Sequence, residues 1–369
     1  MARVDISAIQ LFRYTLPLDR PLALRGQTLQ ERHGLLILVS GEGGMHGWGE
    51  IAPLPGFSDE SLAPAEQQAR ELRFSLTGST IPENLEELSG GFEQWLGRYE
   101  LLPSVQCGLE MAVLHLLANS QERPLANLLS DTARSGVSVN ALLPLDSDKP
   151  DTQISRLIEN GYGAVKVKVG AGALDDEISR VCGVCEAAAG RVSVRLDANR
   201  AWSYDDAAHF LGAIADRQIA YIEEPLRDPS RLPELASRTG VPVALDETLR
   251  DLTPEGLPAF PGLAAVIVRP MLLGGLERSM RFARRARTLG VIPVLSSAVE
   301  SAIGIAGLVS FAAAMTVEDI PCGLDTLSWF SRQPTTAPFR IRDGVLTVAD
   351  AAAAIASVDY RMLEEITDA

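Results

Sequence analysis

The sequence predicts an α/β protein in two parts: an α+β portion over about the first hundred residues, then a parallel sheet built from βα units. Three observations carry this. Short β-branched runs recur from Val137 onward at nearly regular steps, with a helical pattern between them. The residues before them show a hairpin and helices instead, and the rhythm is lost again after Ser331.

In the first portion, GLLILVS at 34–40 reads as a strand, Gly41-Glu42-Gly43-Gly44 as a turn, and 46–53 as the returning strand. The glycines do not make a dinucleotide-binding loop. A G-x-G-x-x-G starting at Gly41 needs glycine where His46 stands, and no helix follows. Helical patterns come next at 64–76 and at 83–88, the second stopped by Gly90-Gly91.

In the second portion, the runs begin near Val137, Ala164, Val192, Ala220, Pro242, Ala264 and Ile292, at steps of 27, 28, 28, 22, 22 and 28 residues. A weaker eighth run lies at 320–324, again 28 residues on. Each gap holds one helix and two short loops, the crossover that parallel strands require. Eight such units favour a closed barrel over an open doubly wound sheet. Spacing alone does not show closure, so both remain compatible with it. The tail after Ser331 is expected to pack back on the first portion.

Composition narrows the function. The 369 residues are 46% hydrophobic and 22% charged, a globular balance, with a formal net charge of −15. That charge repels phosphate backbones and anionic lipid surfaces, so neither nucleic acid nor a membrane is an expected partner. Cys182 and Cys185 form a C-x-x-C inside a helical pattern. With Cys107 and Cys322 far off in sequence, they read as ordinary helical cysteines. The N-terminus carries an early acid, Asp5, and no apolar leader segment. The longest apolar stretch, about 301–315, is shorter than the ~20 residues that span a bilayer. A cytoplasmic protein is expected.

In a βα barrel the C-terminal ends of the strands face the site. Read in order, those ends carry Lys166 and Lys168, Asp197 with Asn199, Glu223-Glu224, Asp246-Glu247, Arg269, and Ser296-Ser297. Residues two apart on a strand share a face, so both lysines point inward if either does, and two buried cations need anions opposite. Asp197, Glu223 and Asp246, on three consecutive strands, supply them. Three carboxylates in that arrangement also suit Mg²⁺, a hard cation that takes oxygen ligands. None of the four histidines, His33, His46, His115 and His209, falls at a strand end, so zinc or a redox metal fits poorly.

These stretches, WGEIAPLPGFS at 48–58, KVKVG at 166–170, RLDANRAW at 195–202, EEP at 223–225, Asp246-Glu247, LSS at 295–297 with Glu300-Ser301, and GLDT at 323–326, resemble the enolase superfamily. Within it they are most similar to the muconate-lactonizing-like branch and its o-succinylbenzoate synthase family. The resemblance implies a (β/α)₇β TIM-like barrel over 103–325 and an α+β capping domain from 1–102, completed by 326–369. It implies a lyase acting on a small-molecule carboxylate in menaquinone or phylloquinone synthesis, with Lys168 moving the proton, Lys166 beside it, and Mg²⁺ on Asp197, Glu223 and Asp246. It further implies Ser296, Ser297, Gly323 and Arg25 around the substrate, with cap loops near Arg25 and at 53–57 closing over the site. Oligomeric state stays open between a monomer and a homo-oligomer.

One residue departs from the family pattern. The sixth strand reads VIVRP, with Arg269 where the pattern has lysine. Arginine stays protonated and is a very poor proton acceptor. An N-acylamino acid or dipeptide racemase, the alternative on this scaffold, needs a base on each face of the substrate. A syn-dehydratase needs one base and tolerates a cation opposite it, and Arg269 is expected to be that cation.

Overall fold

The computed structural model describes residues 3–24, 27–143, 150–315 and 318–367; Arg25 lies outside them. The N-terminal sheet is antiparallel. β1 (Ala8–Leu24) and β2 (Gln27–Ser40) form a long hairpin, and β3 (His46–Ile51) returns along β2 after the expected glycine turn. The sequence reading missed β1, whose alternation is interrupted by Pro17 and Pro21. The register with β2 shifts between Pro17 and Leu22, the kind of irregularity where a strand accommodates proline. Gly49 on β3 permits a close approach. A Cβ there would lie 1.9 Å from the Gly108 carbonyl oxygen, so the buried Pro103–Ser120 helix packs directly on the strand.

The predicted 64–76 helix is present as Leu62–Leu76. The helix expected at 83–88 is not. Only one 3-10 turn forms, Leu85–Glu87, between left-handed Asn84 and Leu88, and the next helix starts at Gly91.

The first of the recurring runs divides in two. β4 (Gly136–Ser138) leaves the parallel sheet to pair with a later strand, and β5 (Ala141–Leu143) enters it. Next come β6 (Ala164–Lys168), β7 (Ser193–Asp197), β8 (Ile219–Glu223), β9 (Val243–Leu245), β10 (Leu263–Val268) and β11 (Ile292–Leu295). With β5 they form one seven-stranded parallel sheet in sequence order. The eighth run forms no full strand. Residues 322–323 hydrogen-bond on one side to Ser138 and Asn140, and on the other to Leu295 and Ser297, linking the two edges of the sheet.

β12 (Val345–Thr347) pairs with β4, and β13 (Leu363–Glu365) pairs with β1, so the tail does return to the N-terminal sheet. Tyr221, Ala244, Ala265, Ile267 and Val294 form an apolar cluster on the strands. Phe12, Leu36, Trp48, Met271, Ala298 and Ile303 belong to a second one joining the N-terminal sheet to the loops beyond the strand ends. The long apolar stretch of the sequence is the buried helix Ala302–Met315, apolar all round because protein surrounds it. Among the described residues no helix is long and apolar enough to cross a membrane. Cys182 and Cys185 lie unpaired on the Leu174–Ala188 helix, where burial pushes the Cys185 thiol up to about 11.

Candidate active site

The parallel register sets the site. Lys168 is the cross-strand partner of Asp197, and Asp197 of Glu223, so a lysine and two carboxylates form one row at the ends of β6, β7 and β8. Asp246 follows the last residue of β9, and Arg269 the last residue of β10. Asp197, Glu223 and Asp246 are 1%, 2% and 6% exposed.

The two lysines differ. Lys166 Nζ is buried between Asp197 Oδ2 at 2.8 Å and Glu223 Oε2 at 2.5 Å. Burial pushes its ammonium pKa down, but the two carboxylates more than reverse this and hold it above the usual lysine range. The Lys168 side chain is 47% exposed; its Nζ lies 2.9 Å from Asp197 Oδ2 and donates to Asn199 Oδ1 at 2.5 Å. Lys166 is thus enclosed by acids, whereas Lys168 is half open to solvent. Burial pushes Asp197 up, yet the two lysines bring it well below the carboxylate range. Glu223 is pushed up to about 7, by burial first and then by Asp197 and Asp246, against the pull of Lys166.

Arg269 does not stand free as the expected cation. Its guanidinium binds the Asp246 carboxylate, with Nε at 2.9 and 3.0 Å from the two oxygens and Nη2 at 2.7 Å from Oδ2, while Nη1 donates to the Ser297 carbonyl at 2.6 Å. The sequence could not show this, because the fork-to-carboxylate match depends on where β9 and β10 end relative to each other.

The second acid of each pair has its own task. Glu224 Oε1 accepts from the backbone N–H groups of Asp246 (3.0 Å) and Thr248 (2.8 Å), and its Oε2 takes Arg200 Nε at 3.0 Å. It holds the turn that presents Asp246. Glu247 accepts from Asn199 Nδ2 at 3.2 Å, tying the amide that meets Lys168. Asn199, Arg200 and Glu224 have φ of 43°, 61° and 38°, left-handed conformations that cost energy in non-glycine residues and concentrate at functional sites. Arg200 and Thr248 were missed by the sequence reading; Arg200 lies inside the RLDANRAW stretch, and Thr248 has no signal of its own.

Ser296, Ser297 and Gly323 come together. The Ser297 N–H donates to the Gly323 carbonyl at 2.9 Å, Ser297 Oγ lies 3.3 Å from Thr326 Oγ1, and a Cβ on Gly323 would meet Ser296 Oγ at 2.5 Å. Loop 53–57 of the N-terminal portion also reaches the site. Arg250, three residues beyond Glu247, donates to the Phe57 carbonyl at 2.5 Å and pairs with Asp59.

Among the described residues no three acidic, His or Cys side chains converge on one ion position as they stand, since Asp246 is turned to Arg269 and Asp197 to the lysines. The donor chemistry nonetheless fits a hard divalent cation. Three buried carboxylates sit at consecutive strand ends with no imidazole or thiol among them, and no donor is aligned on buried Asp197 Oδ2, although both ammonium groups lie within ion-pair range.

Two protein families match the chain: "MenC, N-terminal domain" over residues 6–116 and "Enolase C-terminal domain-like" over residues 151–352. The o-succinylbenzoate synthase of Aliivibrio salmonicida is 34% identical, covering 89% of this chain and 92% of its own length. That of Yersinia pseudotuberculosis is 33% identical, covering 88% and 91%. The chloroplastic protein PHYLLO of Arabidopsis thaliana is 29% identical over 89% of this chain, which spans only 21% of PHYLLO.

Among solved structures, a muconate lactonizing enzyme from Pseudomonas fluorescens, complexed with muconolactone, superposes with a TM-score of 0.81 at 21% identity, covering 97% of this chain and 98% of its own. A dipeptide epimerase from Enterococcus faecalis, complexed with Mg and a dipeptide, does so with 0.79 at 22% identity, covering 93% and 97%. At that identity both speak for the fold alone. The chain belongs to the o-succinylbenzoate synthase family of the enolase superfamily.

Proposed function

We propose that this chain is a lyase of the o-succinylbenzoate synthase type, dehydrating 2-succinyl-6-hydroxy-2,4-cyclohexadiene-1-carboxylate to 2-succinylbenzoate on the route to menaquinone or phylloquinone. The observation that carries the reading is the asymmetry of the two lysines, one locked between carboxylates and one half-exposed beside them.

Lys168, as the free amine, takes the proton from the carbon bearing the substrate carboxylate. The electron pair of that C–H bond is first delocalised into the substrate carboxylate, then becomes a ring double bond as the neighbouring C–O bond breaks. The same lysine returns the proton to the departing hydroxyl, so that water leaves from the face on which the proton was taken. Aromatisation of the ring drives the second half of the reaction. Lys166 keeps its charge throughout and holds Asp197 and Glu223 in place. A magnesium ion held by Asp197, Glu223 and Asp246 would supply positive charge to the substrate carboxylate as negative charge builds on it.

Arg269 orients Asp246 and adds a cation that cannot act as a second base. This weighs against 1,1-proton transfer and so against a racemase or epimerase. Ser296, Ser297 and the backbone around Gly323 suit the succinyl carboxylate, with loop 53–57 covering it. The links made by residues 322–323 support a closed (β/α)₇β barrel capped by 1–102 and 326–369.

The test is to follow aromatic product from the cyclohexadiene substrate with and without Mg²⁺. Turnover that requires the ion is expected, with no alpha-deuterium incorporation with inversion when N-succinyl amino acids are incubated separately with the protein in D₂O. Absence of aromatic product, or racemisation of those amino acids in its place, would overturn the reading.

A further inference from the structure

Outside the charged mouth, a second dense set of buried polar side chains lies where the N-terminal sheet meets the strand-end loops. Arg32, on β2, is 2% exposed, and among the described residues its hydrogen bonds all go to backbone carbonyls. On the cap side these are Ala52 (2.5 Å), Pro53 (2.8 Å) and His33 (3.2 Å); on the barrel side they are Val299 (3.1 Å) and Ala298 (3.4 Å). One guanidinium therefore joins the root of loop 53–57 to the turn that follows Ser296 and Ser297. Only a rigid fork of five N–H donors can serve so many acceptors at once.

The barrel-side turn is held from outside as well as by its own Glu300, whose Oε2 accepts from the Ala298 N–H at 2.6 Å. Val299 has φ of 61°, a left-handed conformation that is a clear outlier for a β-branched residue, and it is the Val299 carbonyl that meets Arg32 Nε. The far end of the turn is gripped from the cap as well. Buried Glu50, on β3, accepts from the N–H of Ser301 (2.9 Å) and of Gly304 (2.9 Å), at the start of the Ala302–Met315 helix. Tyr14 Oη donates to the same carboxylate at 2.6 Å.

We infer that Arg32 is a positioning residue for substrate binding: it sets the strained 298–299 turn, and through it Ser296 and Ser297, against the cap loop on the other side of the pocket. It touches no reacting atom, and the inference rests on the function proposed above. Arg32 is more than a structural tie because its two sets of acceptors root the two walls between which the substrate's outer group would lie.

The experiment uses the full chain with saturating Mg²⁺ and compares wild type, Arg32→Lys and Arg32→Gln, each normalised to folded protein. Arg32→Lys keeps the charge and loses the fork. Its KM should rise at least about tenfold while kcat falls less than about threefold and the affinity for Mg²⁺ stays at the wild-type value. Adding Val299→Gly should bring KM part of the way back, because glycine takes a positive φ without help. Should Arg32→Lys fail to fold, Arg32→Gln carries the same expectation. A wild-type KM in the variants with only a lowered melting temperature, or a Val299→Gly addition that leaves the raised KM untouched, overturns the inference. A wild type that forms no aromatic product would instead overturn the proposed reaction.

Discussion

At the mouth formed by the strand ends, Lys166 faces two carboxylates at 2.5–2.8 Å, and Arg269 binds a third. Where the N-terminal sheet meets the strand-end loops, Arg32 faces carbonyls from two separate loops. Both regions bury positive charge, but in different ways. Ion pairs at the mouth leave a set of charges that a ligand or cation can rearrange, and burial there, helped by Asp197 and Asp246, pushes Glu223 up to about 7. Carbonyl acceptors at the junction neither titrate nor exchange partners, so that arginine fixes geometry. The two regions thus use their buried cations differently, in ion pairs at the mouth and on fixed carbonyls at the junction.

That division can be broken first at Arg269. Arg269→Met leaves Asp246 buried without its partner, a loss worth about 3–5 kcal/mol where a buried pair is broken. Turnover should fall by roughly 100-fold or more. Arg269→Lys, which keeps the charge, should retain appreciable dehydratase activity. Steady-state kinetics of the two variants, with equal rates as the contrary result, decide whether the cation matters.

A smaller effect is expected at Gly323→Ala. The new Cβ would meet Ser296 Oγ at 2.5 Å and Ser296 Cβ at 3.1 Å, so the serine must turn away. Overpacking of about 1–3 kcal/mol is expected. It should appear as a higher KM and a lower melting temperature, with little change in kcat.

The smallest effect sharpens the comparison from outside both regions. Burial pushes Glu110 up to about 8, against a usual value of 4.5. A raised carboxyl pKa means that the folded chain holds a proton the unfolded chain has released. The associated stability is full below about 4.5 and is lost as pH rises through about 8. Melting temperatures at pH 6 and pH 9 should therefore drop further in wild type than in Glu110→Gln, by roughly 2–4 °C. Parallel curves would contradict this.

Much of the mouth was legible in the sequence because parallel strands repeat. Lys168, Asp197 and Glu223 each occupy the same place in a unit of about 28 residues, so spacing alone aligned them. The junction was not legible. Arg32 and Val299 are 267 residues apart and meet only through the docking of the sheet, which no local pattern encodes. The engagement of Arg269 with Asp246 was hidden for a related reason: residue type gave the charge and spacing gave the strand, but the offset between β9 and β10 chose the partner. The helix expected at 83–88 failed locally, because Asn84 and Leu88 adopt left-handed conformations that a helical periodicity does not reveal.

The most direct measurement is made on Lys168→Ala. Its Mg²⁺ affinity by titration calorimetry and its rate of aromatic product formation should be measured on the same sample. A single amine that carries the proton predicts wild-type ion binding with turnover lowered by roughly 1,000-fold or more. Turnover near the wild-type rate would contradict it.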